Sequence, residues 1–290
     1  MTTHEHEPAP ESKRPAGTDI SGLPAPNKGE PELAIVADPD TAARDAAERI
    51  ASSLVAAVER RGRADFCTTG GNTPIPIYRL LAQAPLVDSI PWQLVHFWWG
   101  DDRFVPRDHP ESNVTSLDDV LLGGANGEPG SAPLPTANIH PFPTERAIAG
   151  GHDYEWCATT YAEEMAAQLP LADGNWPVFD LILVGVGDDG HLLSVFPGSP
   201  ALDSLDWTLG IPAPTHIGPH LPRVTINPRL LEAAPVLVVT WGASKAEALG
   251  EIFGAVRDDR RWPAQRTRRP GAAWIVDEAA AHKIPGIHKG

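Results

Sequence analysis

His191 is the side chain in this sequence best suited to proton transfer near neutral pH. It follows a glycine-rich run at residues 185–190, and histidine is the side chain whose unperturbed pKa is closest to neutrality. A carboxylate nearby, that of Asp189 or of Asp101, could orient the imidazole. A single histidine is more often structural than catalytic, so the catalytic interpretation depends on its place in a loop after a predicted strand.

A glycine-rich turn, Gly70-Gly71-Asn72-Thr73, lies between a predicted strand and a predicted helix. Two glycines let the backbone approach an anion closely, and the N–H groups at a helix start can donate to a phosphate. The side chains of Asn72 and Thr73 add further donors. The same residues could form an ordinary tight turn, and they match neither a Walker A loop nor a dinucleotide-binding fingerprint.

Three basic residues could bind an anion at the ends of other predicted elements. Arg103 follows Asp101 and Asp102 after an apolar strand, and a guanidinium can bond two phosphate oxygens at once. Arg223 begins a predicted strand. Lys245 begins a predicted helix, where its charge opposes the helix dipole unless the ammonium reaches a bound anion. Each of the three could instead be a solvated surface charge.

The sequence contains no pattern that indicates a metal site or a covalent nucleophile. Its histidines lack the HExxH and related spacings of zinc enzymes, and no nucleophile elbow of a Ser-His-Asp hydrolase is present. Cys67 and Cys157 have no CxxC spacing, which favours two reduced thiols over a disulfide. We therefore expect a non-covalent reaction with no metal and no cofactor.

Composition and charge exclude two classes of partner. The 290 residues carry a formal net charge of −15, which repels nucleic acid and anionic membranes. No apolar run is long enough to span a membrane, and the N-terminus lacks a signal pattern, so we expect a cytoplasmic protein. Residues 1–30, rich in Pro, Glu, Lys and Ser, are predicted to be a disordered tail, and residues 31–290 one α/β domain. Monomer and homodimer both remain open.

Apolar segments typical of strands alternate with segments of helical periodicity from residue 31 onward. The predicted strands are residues 32–37, 64–68, 94–99, 180–186, 223–226, 235–241 and 272–276. The main predicted helices are residues 41–60 with Asp40 as N-cap, 76–83, 113–122, 152–169, and one that begins at Lys245 with Ser244 as N-cap. Residues 123–143 are a predicted loop. Continuous apolar strands indicate a mainly parallel sheet covered by helices, and ligands bind beyond the carboxyl ends of such strands.

Taken in order, these segments resemble the 6-phosphogluconolactonase family. The family pattern runs GG(S/N)TP, W-x-DER-x-VP with a following SN, G-x-G-x-DGH-x-x-S-(L)-FPG, and a late GxxK. It is matched at residues 70–74, 99–106 with 112–113, 185–198 and 242–245, and the likeness covers about residues 31–285. Asp102 stands where the family usually has glutamate. Leu192 and Leu193 stand where small or polar residues are usual, and their bulk could narrow the pocket.

The resemblance implies a Rossmann-like fold shared with sugar-phosphate isomerases and deaminases. It also implies hydrolysis of a small phosphorylated sugar lactone, 6-phospho-D-glucono-1,5-lactone, in the pentose phosphate pathway. In such an enzyme His191 would be the general base that activates water, and Asp101 and Asp189 would be the orienting carboxylates. The substrate phosphate would be bound by a larger set of residues: Gly70, Gly71, Asn72, Thr73, Arg103, Arg223 and Lys245.

Two other functions remain open. A glucosamine-6-phosphate deaminase or a ketose–aldose isomerase would share the fold. The deaminase loop continues DGHIAFNEP, and Phe196 stands here where those enzymes have a glutamate; their DEY segment corresponds to Asp101-Asp102-Arg103. A non-catalytic sugar-phosphate sensor would resemble transcriptional regulators that carry an N-terminal DNA-binding unit. A Pro-rich segment stands at that place in this chain, and its acidic charge is unfavourable for DNA.

Overall fold

The structure is a computed structural model that describes residues 29–123, 132–172 and 175–287. Except for residues 29 and 30, the predicted disordered tail lies outside the described residues. Within them the strands are, in chain order, β1 (Glu32–Val36), β2 (Ala64–Thr68), β3 (Val95–Trp99), β4 (Asp101–Arg103), β5 (Ile139–His140), β6 (Leu181–Val184), β7 (Thr208–Ile211), β8 (Arg223–Ile226), β9 (Val236–Thr240) and β10 (Ala272–Asp277). The α-helices are α1 (Pro39–Arg61), α2 (Pro74–Leu81), α3 (Leu86–Ser89), α4 (Thr144–Ala149), α5 (Tyr154–Gln168), α6 (Leu230–Ala233), α7 (Ala246–Ile252) and α8 (Glu278–Ala281).

Seven strands pair in parallel to form the main sheet, in the order β1-β10-β9-β6-β2-β3-β5. The three central strands, β9, β6 and β2, are buried along their whole length. Continuous apolar segments predict this burial, because helices cover both faces of a parallel sheet. The predicted fold class, a Rossmann-like and mainly parallel sheet flanked by helices, is therefore confirmed.

Helix α1 illustrates how local sequence sets an element's bounds. The carboxylate of Asp38 accepts a hydrogen bond from the N–H of Thr41 at 2.7 Å, and Gly62 ends the helix with a φ of 77°. An N-cap of this kind stabilises a helix by about 1 kcal/mol, and a glycine adopts the left-handed conformation without strain. The predicted cap, Asp40, is wrong by two residues, because Asp40 already lies in the first turn.

A second, antiparallel sheet follows the main sheet in the order β4-β8-β7. After β3 the chain passes through Gly100 and continues as β4, which pairs with β8 so that Arg103 lies opposite Arg223. A Cβ at Gly100 would lie 2.6 Å from Leu193 Cδ2, so a larger residue at this close passage would require the Leu193 side chain to move. The sequence predicts the strand at residues 223–226 but neither its partners β4 and β7 nor its antiparallel pairing.

The predicted helix at residues 113–122 is shorter in the structure: helical backbone covers residues 115–121, and Leu117–Leu121 form a wide turn. Its start is displaced because the N–H of Asn113 donates to the carboxylate of Asp102 at 2.7 Å. The predicted loop at residues 123–143 also contains the short edge strand β5. Both differences arise from pairing with residues distant in the chain.

The helix predicted to begin at Lys245 begins instead at Ala246. A 3₁₀ turn at Ala243–Lys245 precedes it, and no side chain caps α7. The hydroxyl of Ser244, the predicted cap, donates to Asp188 at 3.2 Å. Lys245 therefore extends from a turn after β9, rather than from the first turn of an α-helix.

Cys67 in β2 and Cys157 in α5 are free and buried, as predicted for reduced thiols. Burial raises the pKa of the Cys67 thiol well above 9.0, which keeps it a neutral core group. In the part of the chain that the structure describes, no helix has the length and apolar character that crossing a bilayer requires.

Candidate active site

The segments that carry the predicted site residues lie at one edge of the main sheet. Four neighbouring parallel strands end at this edge, in the order β9, β6, β2 and β3. The segments that follow them are residues 69–73, 100–103, 185–191 and 241–245. The expectation that the site lies beyond the carboxyl ends of the strands agrees with this arrangement.

His191 and Asp189 form a hydrogen-bonded pair in the loop after β6. His191 Nδ1 lies 2.5 Å from Asp189 Oδ1, which also accepts the backbone N–H of His191 at 3.1 Å. Burial by itself would raise the pKa of Asp189, but the hydrogen bonds and charge of His191 outweigh it, and the pKa lies below the usual range. Asp189 therefore stays ionised and fixes the ring with Nε2 as the remaining nitrogen.

Gly187 is the residue that makes room for this pair. A Cβ at position 187 would lie 2.0 Å from His191 Nδ1 and 2.8 Å from Asp189 Oδ1. The loop is closed by the N–H of Gly187, which donates to the carbonyl of His191, and by that of Gly190, which donates to the carbonyl of Gly187. Gly187 thus leaves space for the imidazole, and the backbone bonds of Gly187 and Gly190 close the loop that positions it.

Two arginines stand opposite one another on the small sheet. Arg103 in β4 and Arg223 in β8 are directly paired across the antiparallel ladder, a position in which side chains on one face are close neighbours. Burial lowers the pKa of Arg223, and the nearby charge of Arg103 lowers it further, while Asp101 opposes the shift. The charge of Arg103 thus acts against that of Arg223, and a bound anion would stabilise both.

Both guanidinium groups also have unused donors. Among the described residues, the buried Nε atoms of Arg103 and Arg223 have no hydrogen-bond partner. Their other nitrogens donate to backbone carbonyls, Arg103 Nη1 to Glu111 at 2.7 Å and Arg223 Nη2 to Pro219 at 3.2 Å. In the described part of the chain, other arginines also have a buried Nε without a hydrogen-bond partner: Arg229, Arg266 and Arg269. An unpaired Nε therefore does not by itself mark a site. Arg103 and Arg223 differ from these arginines in lying opposite one another on the small sheet, an arrangement that suits a ligand with several acceptor oxygens.

Phe196 connects the histidine to the arginines. Its ring centroid lies 4.9 Å from that of His191, and the guanidinium carbon of Arg223 lies 5.4 Å from the same ring. The candidate base and a candidate anion ligand thus contact one side chain. Sequence analysis uses Phe196 only to separate two families and does not identify it as part of the site; no local pattern signals its contact with Arg223.

Asp101 does not contact His191, contrary to its predicted role as an orienting carboxylate. Its side chain accepts a hydrogen bond from Ser194 Oγ at 2.6 Å, and its backbone carbonyl accepts one from Asn113 Nδ2 at 2.8 Å. The N–H of Ser194 donates to Thr225 Oγ1 at 3.4 Å. Asp101 therefore joins the histidine loop to the small sheet that carries the arginines.

Asp102, which replaces the glutamate usual in the resembled family, is buried. It accepts hydrogen bonds from the N–H groups of Arg103 at 2.8 Å and Asn113 at 2.7 Å, and from Ser112 Oγ at 3.3 Å. Burial raises its pKa from 3.8 to about 7, and the two N–H donors oppose that rise. The side chain holds the backbone around Arg103 in place.

The turn from Gly70 to Thr73 lies beside the small sheet. A Cβ at Gly70 would lie 1.8 Å from Asn113 Oδ1, and Gly71 has a φ of 74°, so both positions require glycine. Asn72 is exposed and Thr73 half-buried. Because prolines occupy positions 74 and 76 at the start of α2, two of the helix N–H groups expected to face an anion do not exist. The donors left are those of the turn itself.

Lys245 lies at the same edge, after β9. Its ammonium is 2.6 Å from Asp188 Oδ1, in the histidine loop. Asp277 fixes the backbone just before Lys245, because its carboxylate accepts the N–H of Gly242 at 2.9 Å. The same carboxylate accepts the N–H of Ala280 at 2.8 Å. The predicted basic residues thus lie at one sheet edge, but two of them are paired with acidic side chains: Lys245 with Asp188, and Arg103 with Glu111 at 3.7 Å.

Three neighbours of the base complete the description. Leu192 and Leu193, predicted to narrow the pocket, are members of the hydrophobic core. His216, on the loop between β7 and β8, places Nε2 3.2 Å from Asp189 Oδ2. No sequence pattern signals His216, because its contact depends on the path of a long Pro-rich loop.

Comparisons with known proteins identify the family of the chain. A family profile described as glucosamine-6-phosphate isomerases/6-phosphogluconolactonase matches residues 37–276. The chain is similar to a 6-phosphogluconolactonase of Synechocystis sp., with 36% identity over 237 residues, 81% of this chain and 90% of the relative. A 6-phosphogluconolactonase of Streptomyces coelicolor is 32% identical over 260 residues, 88% of this chain and 95% of the relative. The solved 6-phosphogluconolactonase from Trypanosoma cruzi has a TM-score of 0.75 and 24% identity, covering 88% of this chain and 97% of that chain, and shows the fold alone.

Proposed function

The chain belongs to the glucosamine-6-phosphate isomerase/6-phosphogluconolactonase family, and on that basis we propose that it hydrolyses 6-phospho-D-glucono-1,5-lactone to 6-phosphogluconate, a step of the pentose phosphate pathway. The observation that carries the proposal is the pair formed by His191 and Asp189, 2.5 Å apart, on a loop joined through Ser194 and Asp101 to the small sheet that carries Arg103 and Arg223. A proton-transfer group and an anion-binding group are the two things this reaction requires.

In the proposed mechanism, His191 Nε2 takes a proton from water as its oxygen attacks the lactone carbonyl. Nδ1 donates to Asp189, whose negative charge stabilises the imidazolium that forms. A C–O bond forms, and the carbonyl oxygen becomes an oxyanion that a loop N–H or Arg103 stabilises. The intermediate then expels the ring oxygen, the ring C–O bond breaks, and the imidazolium returns its proton to that oxygen. Water is consumed and no other reactant is needed.

The substrate phosphate would bind at Arg103, Arg223, Lys245 and the turn from Gly70 to Thr73. Support comes from the unpaired buried Nε atoms of the two arginines in the described part of the chain and from their opposed positions on β4 and β8. A phosphate dianion can accept from both guanidinium groups and relieve their mutual repulsion. Anchoring the phosphate there holds the lactone carbonyl at a constant position relative to His191.

The deaminase alternative is less well supported. The family description includes isomerases, but the curated relatives with the identities given above are lactonases. At the position where a deaminase would have its glutamate, Phe196 packs between His191 and Arg223. An aromatic ring cannot transfer a proton to open a sugar ring, so the geometry favours ester hydrolysis.

The test is hydrolysis of freshly generated 6-phosphogluconolactone, with spontaneous hydrolysis subtracted, by the wild type and His191→Ala. Loss of a general base typically lowers the rate by about 10² to 10⁴. His152→Ala is a matched control, because His152 is exposed and stacks on Trp156. Full activity in His191→Ala would leave the reaction but remove the proposed base. A wild type that binds phosphate but does not hydrolyse the lactone would support the non-catalytic sensor.

A further inference from the structure

The ion pair between Asp188 and Lys245 is not explained by the proposed mechanism. Asp188 Oδ1 lies 2.6 Å from Lys245 Nζ and accepts a hydrogen bond from Ser244 Oγ at 3.2 Å. The Lys245 side chain is 22% exposed, whereas that of Asp188 is 60% exposed. An acidic group on the histidine loop thus occupies the one ammonium of the candidate phosphate site.

A phosphate dianion brought to Lys245 would meet the Asp188 carboxylate at close range. Like charges within a few ångströms repel, and here the repulsion is only partly screened. An ion pair at the protein surface, with one partner as exposed as Asp188, contributes little to stability, so an incoming dianion with several acceptor oxygens can displace it. The ammonium is a compact charge on a flexible stem and can turn from one acceptor to the other.

Neither loop depends on this ion pair for its conformation. Asp277, which is buried, holds the backbone at Gly242. The histidine loop is held by the bond between Asp189 and His191 and by the backbone bond from Gly187 to His191. Removing the charge of Asp188 should therefore release Lys245 without moving the base.

We propose that Asp188 competes with the phosphate of the substrate and product for Lys245, so that it weakens the binding of phosphorylated ligands and speeds the release of phosphorylated product. The choice of substrate rests on the proposed function, but the competition applies to any phosphate monoester and to inorganic phosphate. Asp188 is then a specificity-determining residue: it lowers phosphate affinity, whereas the neighbouring basic residues raise it.

The first measurement is binding of inorganic phosphate by calorimetry to the wild type and Asp188→Asn. Because an ion pair at the surface contributes at most about 1 kcal/mol, we expect the variant to bind phosphate about two- to fivefold more tightly. Steady-state kinetics should show KM for 6-phosphogluconolactone reduced by a similar factor, with a smaller change for unphosphorylated glucono-1,5-lactone. A merely structural role would affect both lactones alike.

Two further variants make the result specific. Asp45→Asn removes the same charge from an ion pair with Arg49. That pair lies beside a cavity lined by Val236 and Ala272, the first residues of β9 and β10, whereas the candidate site lies beyond the last residues of the strands. Asp45→Asn should therefore leave phosphate affinity unchanged. In a Lys245→Gln background, Asp188→Asn should lose most of its effect, since the group competed for is gone.

Equal or weaker phosphate binding by Asp188→Asn would overturn the inference, as would no phosphate binding by either protein. A full effect of Asp188→Asn without Lys245 would also overturn it, because the cause would then be general charge. The calorimetry requires no turnover. A wild type without lactonase activity would therefore refute the proposed function while tighter phosphate binding by the variant would still support the competition.

Discussion

Gly187→Ala is the sharpest available perturbation of the candidate base, because it adds one methyl group at a known distance. The new Cβ would lie 2.0 Å from His191 Nδ1, 2.2 Å from Cε1 and 2.8 Å from Asp189 Oδ1. Non-bonded carbon and nitrogen atoms need about 3.4 Å or more, since closer approach is strongly repulsive. The imidazole must therefore move by about 1 Å or more, and its bond to Asp189 must lengthen or break.

A displacement of about 1 Å in a catalytic group lowers the rate roughly 10²-fold. Gly187 is absent from the glycines with positive φ, so alanine meets no backbone strain there and the fold should survive. We expect kcat/KM for 6-phosphogluconolactone to fall by about 10², with a change in Tm of only a few degrees. Phosphate affinity, measured by calorimetry, should change little because the arginines are not displaced.

Gly185→Ala is the matched control, two residues earlier in the same loop. Its Cβ would lie 3.5 Å from Thr73 Oγ1, an ordinary contact, so kcat/KM should stay within about threefold of the wild type, as expected for a tolerated substitution. If Gly187→Ala retains wild-type kcat/KM while folded, the position of His191 relative to Asp189 is unimportant for the reaction. The assignment of His191 as base would then be wrong.

Two further predictions concern a buried acid and a buried base of the small sheet. Burial raises the pKa of Asp102 to about 7 in the folded protein. The folded state therefore holds a proton that the unfolded state releases near pH 4. As a result, the free energy of unfolding should fall by up to about 4 kcal/mol as pH rises from 4 to 7. Asp102→Asn should not show this decrease, which denaturant unfolding at several pH values measures. If the difference in free energy of unfolding between the wild type and the variant stays constant with pH, the reasoning is wrong. Arg223→Lys keeps the charge but loses the planar fork, and should raise KM for the phosphorylated lactone about tenfold with a smaller effect on glucono-1,5-lactone, whereas equal effects on both substrates would indicate a structural role only.

The sequence by itself predicts the main sheet and the edge at which the site lies. Strands such as β9 are recognisable because burial on both faces requires a continuous apolar run. Polar residues directly after those strands, including His191 and Arg103, must then meet at the carboxyl edge, whatever the strand order. Local chemistry also suffices for α1, apart from a two-residue error at its cap, because capping involves only neighbouring residues.

The tertiary structure alone decides which of these residues touch. The small sheet places Arg103 opposite Arg223, 120 positions later in the chain, and strands of three and four residues carry too short a pattern to predict that register. The contact of Phe196 with Arg223 likewise joins segments that are far apart in sequence. Neither can be derived from local spacing, because both depend on how distant segments pack.

Asp101 and Asp189 show the same contrast between what the sequence predicts and what the structure decides. The sequence leaves open whether Asp101 or Asp189 orients His191, since both follow predicted strands. The structure bonds His191 to Asp189 and turns Asp101 toward Ser194. In the same way, sequence suggests that Lys245 reaches an anion but not that the anion is Asp188. Residue types thus determine which chemistry is available at the edge, whereas long-range packing determines which pairs form, because hydrogen bonds and ion pairs depend on distances that local sequence does not set.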